Sequence, residues 1–90
     1  MKSQPVTRQE VYAAVDSERR YQSKWDDVES QNIHTETEFV LFMEDYLMEA
    51  KHLLARNAAE DVRKEVLDTI RKVTAMGVAC MEQHGAPQRV

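Results

Sequence analysis

The chain has 90 residues, 42% of them hydrophobic and 31% charged, with a formal net charge of −4 at pH 7. That size makes one small domain near the lower limit for a self-sufficient core, and the balance is that of a folded, well-solvated chain. The acidic charge excludes the basic footprint of a DNA- or RNA-binding protein, or of one drawn to anionic membranes.

No run of about 18 apolar residues could span a bilayer, and the first residues have no apolar signal core. The single cysteine, Cys80, lacks an internal disulfide partner, which suits a reducing compartment. These features predict a soluble, cytoplasmic protein. With two Gly and two Pro in the whole chain, breaks are few and the fold reads as all-α.

Three segments carry helical periodicity, each opened by a capping side chain three residues before an acid: Thr7 with Glu10, Thr35 with Glu38, Asn57 with Glu60. The first helix is predicted from Arg8 to Lys24, with Val11, Val15 and Glu18 on one stripe and Tyr21, Trp25 and Val28 continuing it. Residues 26–34 are polar and aperiodic and read as a loop, long enough to serve as a flap. The second helix, from Glu36 to Arg56, carries Phe39, Val40, Met43, Tyr46, Leu47, Ala50, Leu53 and Leu54 at three- and four-residue steps. The third runs from Ala58 to His84 on Val62, Val66, Ile70, Val73, Gly77, Cys80 and Met81. Gly85 caps it and Pro87 blocks continuation.

The short connection at Arg56–Asn57 predicts an antiparallel hairpin of the two long helices, with the shorter helix alongside. Residues 1–6 and 86–90 are read as flexible ends of a single domain. Leu41, Phe42, Leu67 and Met76 fall outside the narrow core stripes, so more apolar surface exists than a hairpin can hide. Packing as a multi-helix bundle through homo-oligomerisation is the expected remedy.

The chemistry-bearing pattern is acidic. Glu38, Phe42, Asp45, Glu49 and His52 share one stripe beside the apolar face of the second helix, and Asp61, Glu65, Asp68 and Lys72 do so on the third. Two such stripes turned toward one cleft would repel unless a cation sat among them, and hard oxygen ligands suit Mg²⁺ or Mn²⁺. Acids beside a helix core are more often a solvated flank, where Lys72 would neutralise Asp68 at i,i+4. Spacing leaves both readings open.

The chain resembles the MazG-like, all-α nucleotide pyrophosphohydrolases, whose pattern is Glu-x-x-Glu on one helix and Glu-x-x-Asp on a later one. Glu65 and Asp68 match the second half. Glu18-Arg19-Arg20-Tyr21, followed by His34-Thr35 and a helix ending Met48-Glu49-Ala50, resembles the lead-in of the dCTP-hydrolysing members. Tyr21-Gln22-Ser23-Lys24-Trp25 resembles small phage-encoded ones, for which the compartment would be the host cytoplasm. The likeness runs from about Glu18 to Gly85. It implies metal-activated water attacking an α–β phosphate linkage, releasing a nucleoside monophosphate and pyrophosphate. On that pattern Glu49, Glu65 and Asp68 are the catalytic candidates and hold the metal, with Asp45 assisting through water. Lys72 would steady phosphate charge, Trp25 and His34 would face the base, and Tyr46 joins them as a ligand-binding position. The departure is at Tyr46, which stands where the first Glu of Glu-x-x-Glu belongs. A phenol there puts two-metal hydrolysis in doubt.

Other residues read more plainly. Arg19, Arg20 and Lys24 meet phosphate or simply solubilise a flank, His52 and His84 lack zinc-ligand spacing, and Cys80 is a small core hydrophobe. There is no Gly-rich phosphate loop and no nucleophile elbow. Three functions follow: a Mg²⁺-dependent nucleoside triphosphate pyrophosphohydrolase, a protein that binds a nucleotide or nucleotide-derived signal without cleaving it (a sponge or sensor, as in phage anti-defence), and a structural helical adaptor.

Overall fold

The computed structural model describes residues 4–24, 33–56 and 62–90. Within them the chain is all-helical, with α1 (Arg8–Ser23), α2 (Glu36–Arg56) and α3 (Val62–His84) and no strand. The first two helix starts are those the capping pattern predicts. Thr7 Oγ1 accepts the Glu10 N–H at 3.1 Å while Glu10 Oε1 accepts the Thr7 N–H at 3.0 Å. Thr35 and Glu38 repeat the exchange at 3.1 and 2.8 Å. Each box satisfies two backbone donors that a helix start leaves orphaned, and each draws its glutamate below the usual carboxyl range, chiefly through the backbone hydrogen bond. The third start, Asn57 with Glu60, and most of the 26–34 loop lie outside the described residues. At the far end Gly85 takes φ 125°, a left-handed value that glycine adopts without strain, and its N–H closes on the Met81 carbonyl.

α3 is the middle element. α1 and α2 each pack on it, and their backbones do not approach one another. Arg71, Ala75, Ala79 and Glu82 recur at four-, four- and three-residue steps on the side toward α1, where Arg71 and Glu82 pair with Glu18 and Arg19. Val73, Gly77, Cys80 and His84 mark the side toward α2, with Met43 Cε 3.6 Å from where a Cβ on Gly77 would sit and Phe39 edge-on to His84. Small residues on both sides let the neighbouring helices approach closely. Phe39, Ala50, Val62, Ala75 and Ala79 are buried, with Ala75 wholly so.

The narrow core stripes predicted from periodicity need correction. Val40, Leu47, Leu54, Ile70 and Met81 are exposed, and Cys80 is only half-buried. α3 meets its neighbours on two sides, so its buried residues spread around the helix instead of following one stripe. Among the described residues, nothing covers the side where those five lie. Leu41, Phe42 and Leu67 are exposed as expected. No helix among the described residues is long and apolar enough to cross a membrane.

The α1–α3 contact leaves no room at Ala75. Ala75→Leu is expected to destabilise the chain by about 1–3 kcal/mol in urea unfolding, because the added methylenes must displace α1. A change under about 0.5 kcal/mol would show that α1 is not seated there.

Candidate functional site

On α3, between the stripe facing α1 and the stripe facing α2, lies a third of Lys72, Met76 and Gln83, which shares Ala79 with the α1-facing side. These residues floor a cleft of about 430 Å³, within the range of small-molecule sites. α1 supplies one wall through Glu18, Arg19, Tyr21 and Gln22. α2 and the residue leading into it supply the other through His34, Phe39, Phe42 and Tyr46.

The walls are fastened to the floor by polar contacts. Arg71 Nε donates to Glu18 Oε1 at 2.8 Å and its Nη1 to Asp68 Oδ1 at 2.7 Å. Glu18 is almost fully shielded from solvent, and Arg71 is held above its ordinary value chiefly by Glu18 and then by Asp68. Arg19 pairs with Glu82 at 2.7 Å, and the Gln22 side-chain amide reaches the Lys72 carbonyl at 3.4 Å. On the opposite wall the His34 N–H donates to Gln83 Oε1 at 3.1 Å. His84 Nε2, 2.7 Å from the His34 carbonyl, carries the proton between them. The His34 ring stands edge-on to Phe39 and Phe42, at 5.6 and 5.0 Å between centroids.

Of the ligand-binding residues expected from the sequence, His34, Tyr46 and Lys72 line this one cleft, and Trp25 lies outside the described residues. The expected acids are distributed differently. Glu49, Glu65 and Asp45 are exposed and none of them lines the cleft. The reason is register. With Met43 beside Gly77 and Phe39 beside His84, Glu49 comes level with about residue 72 of α3. Glu65 then lies about two turns away, on the order of 10 Å along the axis. Asp68 is already engaged by Arg71 and by Lys64, whose Nζ is 3.0 Å from Oδ2. These two cations, not Lys72, neutralise it. Among the described residues no group of three His, Cys, Asp or Glu is placed to hold a metal ion. Asp45, Glu49, Glu65 and Asp68 of one protomer are not gathered into such a group, and Asp61 lies outside the described residues.

Lys72 is thus left without a carboxylate partner among the described residues, at the floor of an aromatic hollow. Periodicity places Phe42 on the cleft-side stripe of the second helix, but it does not mark Gln83 or Met76 for the cleft, nor Glu18 and Arg71 as the pair that holds its wall. The signal was there in the spacing of Lys72, Met76, Ala79 and Gln83, a stripe masked by its mixed chemistry.

No protein-family model matches the chain, and comparison with curated proteins and with solved structures finds no match to it.

Lys64 first and Arg71 second hold the Asp68 carboxyl below its ordinary range. A depressed carboxyl contributes stability that is present above its unfolded value and lost as pH falls through the folded one. In urea unfolding, wild type should exceed Asp68→Asn at pH 7, and the gap should close as pH drops below about 4. A gap that holds or widens in acid would contradict the pairing.

Proposed function

We propose that this chain binds a nucleotide or a nucleotide-derived small molecule in the cleft over α3, and holds it without metal-dependent cleavage. One observation carries the reading: Lys72, a cation with no carboxylate partner among the described residues, shares a 430 Å³ hollow with Tyr21, Phe42 and Tyr46. Flat aromatic faces stack on a base, and an unengaged ammonium meets a phosphate oxygen. The Gln22 side-chain oxygen and the imidazole of His34 offer polar atoms for a base or sugar edge. Shape, charge and polarity each support this ligand class.

The resemblance to MazG-like proteins enters here as a proposal of kinship. The chain would share their helical scaffold, its two long helices joined as an antiparallel hairpin, and their ligand class. It would have given up the paired acids of hydrolysis, with Tyr46 recruited to the cleft wall in place of a carboxylate. Such a protein acts as a sponge or sensor for nucleotides in the cytoplasm, a host's cytoplasm if it is phage-encoded, and works as a homo-oligomer. The adaptor reading is weaker, because a surface that only docks helices has no use for a cation set among aromatic rings.

Thermal-shift and calorimetric titrations with nucleoside mono-, di- and triphosphates and cyclic dinucleotides test the reading. At least one class should raise the melting temperature equally in EDTA and in Mg²⁺. Lys72→Ala and Tyr46→Ala should each weaken its binding about ten-fold or more, while Glu65→Gln leaves it unchanged. Binding that requires Mg²⁺, fails in Glu65→Gln and releases pyrophosphate would establish the pyrophosphohydrolase instead. No response to any nucleotide would leave a structural role.

A further inference from the structure

The side of α2 and α3 turned away from the cleft carries a pattern of its own. Val40, Leu47 and Leu54 recur every seven residues on α2, as do Leu67, Thr74 and Met81 on α3, with Ile70 beside them. The apolar members are 46% to 62% exposed. Helical phase puts both stripes on the flank where Glu36 of α2 approaches His84 of α3, at 3.7 Å, and away from Tyr46 and Lys72 in the cleft. The two stripes lie side by side on that flank, apolar except for Thr74 at the centre of the α3 stripe.

We infer that a second copy of this chain covers that face, each helix antiparallel to its counterpart about a two-fold axis passing beside Leu47 and Thr74. Each stripe reads alike from either end. Around Leu47, Val40 meets the partner's Leu54; around Thr74, Leu67 meets the partner's Met81. Met43 beside Gly77 and Phe39 beside His84 bring Leu47 level with about residue 74 of α3, so one axis serves both stripes. An isologous interface requires this self-complementarity.

Charge selects the same arrangement. Glu44 and Lys51 are exposed, flank the α2 stripe, and stand three residues before and four after Leu47. Neither is paired among the described residues. In the antiparallel copy Glu44 faces the partner's Lys51, and Lys51 faces the partner's Glu44. Side-by-side parallel copies would instead set like charges together. The cleft stays on the outer surface of the dimer, so this inference stands apart from the nucleotide reading.

Sedimentation equilibrium of the full chain at micromolar concentration should give twice the 10.5 kDa chain mass. Leu47→Glu sets two like charges on the axis and should give monomer with unchanged helical circular dichroism. Glu44→Lys and Lys51→Glu should each weaken the dimer roughly ten-fold, because two symmetric pairs turn repulsive. The double variant should return to near wild-type affinity. In a Cys80→Ala background, Leu47→Cys should oxidise to a covalent dimer while Val40→Cys alone does not. A monomeric wild type, a Leu47→Glu dimer, an unrescued double variant, or self-cross-linking by Val40→Cys would each overturn the assignment.

Discussion

The guanidinium of Arg71 ties this molecule together. One edge of it reaches across to α1 and holds the nearly buried Glu18, while another holds Asp68 on its own helix. Charge-assisted bonds from a planar fork fix direction as well as distance, and Arg stays protonated at any pH the folded chain meets. The consequences run two ways. α1 is held against Ala75 and Ala79, which stands Tyr21 and Gln22 up as one wall of the cleft. At the same time Asp68, one of the acids that the sequence pattern offers to a cation, is committed to an ion pair.

The cleft itself is a by-product of how α3 is gripped. A helix held on two sides leaves a strip of its own surface between its neighbours. Here that strip is Lys72, Met76, Ala79 and Gln83. Ala79 keeps the floor low, Met76 lines it with adaptable apolar surface, and the two ends carry a cation and an amide. The walls are tied to α3 at their base: Arg19 to Glu82 on one side, and His34 to Gln83 and His84 on the other.

Much of this was legible in the chain. The Thr7–Glu10 and Thr35–Glu38 boxes and the Gly85 stop mark helix ends through local hydrogen bonding and backbone freedom, which sequence encodes directly. Lys72, Tyr46 and His34 were singled out as ligand-facing and do share one hollow. The acidic stripes were harder, because a helical wheel gives an angle around each axis but not the offset between two axes. That offset parts Glu49 from Glu65. Likewise, Val40, Leu47 and Leu54 are apolar at helical spacing in the same way as Phe39 and Ala50. Only the position of the third helix tells which set the protomer buries and which it leaves exposed.

A nitrogen-15 NMR titration of the assigned protein with a nucleotide, in EDTA, tests the central claim most directly. Shifts should concentrate at Tyr21, Gln22, Phe42, Tyr46, Lys72 and Gln83 and leave Asp45, Glu65 and Asp68 still. Shifts centred on those acids, or none anywhere at millimolar ligand, would contradict the account.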